Sequence, residues 1–150
     1  LITIQHECLT NVKEEIKPLL EIHWEMVALN QGKIKLNPDW KEYAKLDAAG
    51  ILKIFTARSD GQLVGYCVLI ISSSIHYKDH IFAINDVTFV LPEYRTGATG
   101  YKLLKYAEDH CDENGVSLMM VNTKVHVPFD NLLIGMGFNL IERIYSKCFK

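Results

Sequence analysis

Val87-Thr88-Phe89-Val90-Leu91-Pro92-Glu93-Tyr94-Arg95-Thr96-Gly97-Ala98-Thr99-Gly100-Tyr101-Lys102-Leu103-Leu104 is the stretch on which the fold turns. Its first part, Val87 to Leu91, is an apolar run with strand character, and Tyr101-Lys102-Leu103-Leu104 opens a helical pattern. Between them lies a glycine-bearing loop, Tyr94 to Tyr101. A strand that delivers such a loop onto a helix start aims several backbone N–H groups at one spot and adds the positive end of the helix dipole. That geometry suits a phosphate or diphosphate. The familiar nucleotide motifs are missing: there is no Gly-Lys-Ser/Thr of a P-loop and no Gly-x-Gly-x-x-Gly of a dinucleotide fold.

Working outward toward the C-terminus, Gly100, Leu103, Leu104, Ala107 and Cys111 share one helical face, which predicts a helix over Gly97 to Asn114 stopped by Gly115. Leu118 to Val121 reads as a compact strand, parallel to its predecessor through that helical crossover. Pro128 to Met136 reads as a short helix closed by Gly137, and Ile141 to Phe149 as a last strand. Toward the N-terminus, about His80 to Val90 is a strand. Ile51 to Ala57 and Leu63 to Ser72 flank Ser59-Asp60-Gly61-Gln62, a strong hairpin signal. Asn37-Pro38 and Gly50 bracket a helix over Asp39 to Ala49. Val12, Ile16, Leu19, Leu20, His23 and Val27 follow helical spacing, Asn11 with Glu14 resembles a capping box, and Pro18 either kinks that helix or opens a second one. Leu1 to Gln5 is a first strand. The expected order, β-α-α-β-β-β-α-β-α-β, is mixed α/β (α+β): a central, mostly antiparallel sheet with helices on both faces.

The chain has 150 residues, enough for one domain with a sizeable core, and nothing in it suggests a linker or repeat, so 1–150 is expected to be a single domain. A net charge of -2 gives no field for nucleic acid, and no apolar run is long enough for a membrane span. The start alternates like a strand and lacks the basic region of a signal peptide. Cys8, Cys67, Cys111 and Cys148 have no zinc-type spacing and sit in apolar contexts. They read as reduced core thiols, hence a reducing, cytoplasmic setting, with no metal site.

Val90-Leu91-Pro92-Glu93-Tyr94-Arg95-Thr96-Gly97-Ala98-Thr99-Gly100 resembles the acyl-CoA signature of the GNAT N-acetyltransferase superfamily, Arg/Gln-x-x-Gly-x-Gly/Ala after a strand. Arg95 and Gly100 match its ends, Ala98 replaces the middle glycine, and Gly97 falls one residue early. Backbone approach at position 98 then requires negative φ there. Asp60-Gly61-Gln62-Leu63-Val64-Gly65-Tyr66 looks like the family's β2–β3 hairpin, and Leu133-Ile134-Gly135-Met136-Gly137-Phe138 like its late helix ending in a Gly-Phe turn. The pattern also resembles small acetyltransferase-like proteins of tailed phages.

The resemblance implies the GNAT fold and transfer of an acetyl group from acetyl-CoA to an amine of a small molecule or protein by direct attack. A homodimer is the family habit. The amides of Gly97 to Tyr101 would hold the diphosphate, with Arg95, Thr96, Ala98, Thr99 and Gly100 in the same cradle. Backbone near Phe89 and Val90 would pair with the pantetheine arm as an added strand does, and Asn122 and Phe129 would line the far wall. Asp86, inside Ile84-Asn85-Asp86-Val87, is the candidate base, on the expectation that burial raises its pKa. Many relatives carry a tyrosine as general acid four residues before the Gly-Phe pair, where this chain has Leu133. The proton then comes from Tyr145, solvent or the amine itself. Otherwise the fold binds CoA, or a protein partner, without turnover. Glu93, His76, His126 and the His23-Trp24-Glu25 segment are weaker candidates.

Overall fold

The structure, a computed structural model, describes residues 1–149, so that only the last residue of the expected 1–150 unit lies outside it. Five strands form one sheet in the order β1-β2-β3-β4-β5: β1 Ile2–Glu7, β2 Leu52–Ser59, β3 Gln62–Ser73, β4 Ile81–Val90 and β5 Leu118–Met120. The first four pair antiparallel, and β5 joins β4 in parallel. Helices α1 Leu9–Val27 and α2 Trp40–Ala48 precede β2, α3 Thr99–Glu113 makes the crossover from β4 to β5, and α4 Asp130–Gly135 follows β5. The β2–β3 hairpin closes through Asp60 and Gly61, both at positive φ, as the two-residue turn demands.

The sheet is a wall between two cores. On one face Leu9, Val12, Ile16 and Leu19 of α1 pack against Leu52, Ile54, Tyr66, Val68 and Phe89, with Trp40 and Tyr43 of α2 at the margin. On the other, Leu103, Leu104, Ala107 and Cys111 of α3 and Leu133 of α4 cover Phe55, Val64, Cys67, Leu69, Ala83 and Val90. Removal of each such large apolar side chain from water is worth about 1.5–3 kcal/mol.

Two β-bulges set the alternation of these faces. Ala57 faces Gly65 and Arg58 faces Leu63, so Val64 is the extra residue in β3. Val68 faces Val87 and Leu69 faces Asn85, so Asp86 is the extra residue in β4. An extra residue reverses the in–out phase and bends its strand. Hence Ala83 lies in the α3 core while Val87 and Phe89 lie in the α1 core.

Several boundaries differ from the sequence expectation. Helix α1 begins at Leu9, not at Asn11: the Leu9 N–H donates to Asp47 Oδ2 of α2 at 3.2 Å, so a tertiary carboxylate serves where the capping box was expected. Pro18 sits inside one continuous α1. The α2 cap is Asp39, whose Oδ1 accepts from the Glu42 N–H at 3.0 Å, two residues beyond the expected Asn37. Cys67 and Cys111 are buried thiols as expected, but Cys8 is exposed and Cys148 only partly covered.

The largest departure is the last strand. Residues 141–149 form no strand among the described residues, and Ile141, Ile144, Tyr145 and Phe149 are 67–88% exposed. Alternation explains this. Ile141, Arg143, Tyr145, Lys147 and Phe149 would share one face, and Glu142, Ile144, Ser146 and Cys148 the other, so neither face is apolar throughout. The neighbouring β5 also offers only three residues to pair with.

Candidate functional site

The site begins where the sheet forks. Pairing of β4 with β5 covers only Phe82–Leu118, Ala83–Met119 and Ile84–Met120, yet β4 runs on to Val90. The bulge at Asp86 lies just beyond the last pair. At the fork, Asn122 donates to the Asn85 carbonyl at 3.4 Å, while the Asn85 amide donates to Asn122 Oδ1 at 3.2 Å. The Thr88 hydroxyl also donates to Asn85 Oδ1. Past this staple, β4 has one edge on β3 and, among the described residues, the other without a strand.

Register says which groups face the open edge. The Leu91 N–H donates to the Val64 carbonyl, and Phe89 stands opposite Tyr66, so by antiparallel alternation the Val87 and Phe89 peptide groups turn to β3. The Phe89 carbonyl lies 2.9 Å from where a Cβ on Gly65 would be, a close approach only glycine allows. Thr88 and Val90 therefore turn their N–H and C=O to the parted side. The Val90 carbonyl there accepts from Arg95 Nε at 2.7 Å.

The loop follows at once. A 3-10 turn, Pro92–Tyr94, lifts the chain off β4, and Gly97 at φ +86 swings it back into α3. Ala98 is the N-cap of α3 with φ -106, which keeps the negative φ that its side chain requires. Among the described residues no side chain caps this helix. Lys102 is the first residue to close a helical bond, to the Ala98 carbonyl at 2.8 Å. Among the described residues, the N–H groups of Thr96 through Tyr101 donate to no protein acceptor. Thr99 is buried, while Thr96, Gly97 and Ala98 are exposed, so the run of free donors opens outward at the mouth of the fork. A Cβ on Gly97 would meet nothing within 4 Å.

On the α1 face a second group of side chains gathers. Tyr43 of α2 donates its hydroxyl to Asp86 Oδ2 at 2.5 Å. Burial first, then the Asp86 carboxylate, raises the Tyr43 pKa, so the hydroxyl stays protonated and keeps donating. Asp86 itself is exposed, against the expectation of burial: like Ile84 two residues before it, it stands on the α1 face at a margin that the helices leave uncovered. It borders an apolar crevice under α2 lined by Leu9, Ile16, Leu20, Trp40 and Tyr43. Further along, His23 Nδ1 lies 2.9 Å from the Tyr66 hydroxyl, and its ring stacks on Phe89 at 4.6 Å and 15°. Burial, with Arg95 and Lys124 adding, lowers the His23 pKa to about 4, so the imidazole is neutral. The Arg95 guanidinium sits 5.2 Å from the Phe89 ring centre.

The structure thus brings together Asp86, Val90, Arg95, residues 96–101 and Asn122 around one fork. Phe89 joins them through its ring rather than its peptide group. Phe129 precedes α4 and packs against the α3 core. Tyr145 is 88% exposed on the segment without regular structure, and Leu133 is buried in the α3 core. His126 is tied to the Val27 carbonyl at the end of α1, at 2.9 Å, while His76 and Glu93 are exposed. Tyr43 and Tyr66 escaped the sequence reading, because a tyrosine in a helix or strand carries no local sign that a carboxylate or imidazole will reach it from afar. Among the described residues no three His, Cys, Asp or Glu side chains converge as a metal site would need, and no helix is long and apolar enough to cross a membrane.

With this geometry in view, comparison with known proteins is direct. Residues 15–131 match the model of the acetyltransferase (GNAT) family, and the chain belongs to that family. It is 32% identical over 73 residues to the uncharacterized N-acetyltransferase YhfO of Bacillus subtilis strain 168, a match that takes in 49% of this chain and about half (48%) of that protein. Among solved structures, it resembles glucosamine-6-phosphate N-acetyltransferase from Arabidopsis thaliana, with a TM-score of 0.75 at 14% identity over 100% of this chain and 99% of that one. It also resembles a predicted acetyltransferase from Clostridium acetobutylicum solved with acetyl-CoA, with a TM-score of 0.70 at 11% identity, covering 99% and 96% of the two chains. At such identities the likeness is one of fold, and the fold is that of the GNAT enzymes.

Proposed function

We propose that the protein is an N-acetyltransferase that moves an acetyl group from acetyl-CoA to an amine by direct attack. The observation that carries this reading is the meeting of a parted β4 edge with a loop of unengaged N–H groups. The loop donors from Thr96 to Tyr101 suit the diphosphate, and the Thr88 and Val90 peptide groups suit the amides of the pantetheine arm. Asn122 and Phe129 would line the opposite wall. The acyl carbon would then lie near the bulge, beside Asp86.

On this reading Asp86 takes the proton that the attacking ammonium must lose before its nitrogen lone pair is free. The new C–N bond forms as the C–S bond breaks. The thiolate leaves with the sulfur electron pair and takes up a proton from the acylated nitrogen or from solvent, so the sum is amide, CoA thiol and one proton released. Leu133 cannot supply that proton, and Tyr145 stands on an exposed segment. Tyr43 holds one Asp86 oxygen and leaves the other for the amine. The chain works as one unit over 1–150, in a reducing setting compatible with its buried thiols.

A second reading has its own observation. Leu133 stands in the core where many relatives carry the acidic tyrosine, which favours a fold that holds CoA or a protein partner without turnover. Release of free CoA thiol from acetyl-CoA, followed across polyamines, aminoglycosides, amino acids and peptides, separates the two. Acceptor-dependent thiol release supports the enzyme. Binding of acetyl-CoA with no release across the panel supports the second reading.

A further inference from the structure

We infer that Arg95 makes cosubstrate choice depend on the diphosphate, by covering the Val90 carbonyl until an anion draws it away. The inference rests on the acetyl-CoA reading above. Three observations carry it. The Val90 peptide group faces the parted edge of β4, where it is an edge partner for an extended chain. That carbonyl is occupied, because Arg95 Nε donates to it at 2.7 Å. The guanidinium also lies against the Phe89 ring at 5.2 Å, which holds the side chain along β4 rather than over the loop.

An arriving pantetheine amide therefore competes with Arg95 for the same oxygen. A carrier without phosphate offers the guanidinium nothing in exchange, and its binding bears the full loss of the Arg95–Val90 bond. A diphosphate seated on the donors of Thr96 to Tyr101 offers a charge-assisted partner a few residues away, so the guanidinium moves from one acceptor to a stronger one. The carbonyl is freed as the anion arrives. Arg95 thus discriminates against unphosphorylated thioesters of the same arm, beyond the attraction any cation gives a phosphate.

The test titrates S-acetylpantetheine and acetyl-CoA into wild type, Arg95→Ala and Arg95→Met, using calorimetry or ligand-observed NMR. Arg95 is exposed and the Met variant keeps contact with Phe89, so both variants fold. Both are expected to bind S-acetylpantetheine about fivefold more tightly than wild type, the net worth of one hydrogen bond no longer in competition. Both are expected to bind acetyl-CoA more weakly. S-acetylpantetheine binding that is unchanged or weaker in both variants overturns the inference and leaves Arg95 as a plain phosphate contact. Wild type that binds no acetyl-CoA defeats the site reading itself, and this inference with it.

Discussion

The Tyr43 hydroxyl of α2 donates to the Asp86 carboxylate of β4 at 2.5 Å, spanning from the second helix to the one residue that the β4 bulge pushes out of register. This bond fixes the carboxylate beside the point where β4 and β5 part. It also ties α2, at the margin of the α1 face, to the point where the sheet parts. The chemistry proposed for Asp86 depends on both.

Asp86→Asn keeps the Tyr43 contact but removes the base. Amine acetylation is expected to fall about 10²–10⁴-fold, while acetyl-CoA affinity, measured by calorimetry, changes little. Tyr43→Phe keeps the base but frees its position, and a fall of about tenfold is expected, within the worth of one hydrogen bond to a charged group. Full activity in Asp86→Asn with an identified acceptor removes Asp86 from the mechanism.

His23 gives a stability signature. Its folded pKa is lowered to about 4 by burial, against 6.5 in the unfolded chain. Between those values the unfolded state binds more protons. The stability is therefore complete above pH 6.5 and is lost as pH falls toward 4. Because the imidazole is only partly buried, the loss is on the order of 2 kcal/mol rather than the full linkage value. Urea unfolding of wild type and His23→Gln at pH 7 and pH 4.5 checks this: the gap between the two pH values is expected to be smaller in the variant by about that amount. Equal gaps contradict it.

Arg58 ties β2 to β1 and α1, away from the fork toward the β1 edge of the sheet. It donates to Glu7 at 2.9 Å and to Glu15 at 2.8 Å, with side-chain exposures of 11% for Arg58 and 12% for Glu7. Burial works to raise the Glu7 pKa, but hydrogen bonds from Arg58 and Thr56 outweigh it, and the carboxyl is held below its ordinary value. Arg58→Ala leaves that carboxylate covered and unpaired, and is expected to cost about 3–5 kcal/mol in denaturant unfolding. Arg58→Ala with Glu7→Gln is expected to recover part of that loss. A cost under about 1 kcal/mol for the single variant means the cluster behaves as a surface ion pair.

Much of this was legible in the sequence. Asp60-Gly61 located the hairpin, the face built on Leu103, Leu104 and Ala107 located α3, and Arg95 to Gly100 located the loop, because each depends on chemistry local in the chain. Asp86 was legible as an oddity in an apolar strand, but not as a bulge. A bulge is a property of two paired strands, set by the register of Val68 and Leu69 with Val87 and Asn85. Tyr43 and the α1 cap at Asp47 depend on contacts 38 to 43 residues away. The strand expected over 141–149 failed because its apolar residues divide between two faces.

Titration of acetyl-CoA into wild type, Gly97→Asn and Gly97→Glu asks whether the loop donors hold the diphosphate. Any side chain is strained at the positive φ of +86 here, asparagine least, and both side chains enter open space. Only glutamate sets a negative charge among the loop donors. Saturable binding to wild type, near-wild-type binding to Gly97→Asn, and a loss of about 100-fold or more in Gly97→Glu are expected. Equal affinity in wild type and Gly97→Glu would contradict that placement of the diphosphate.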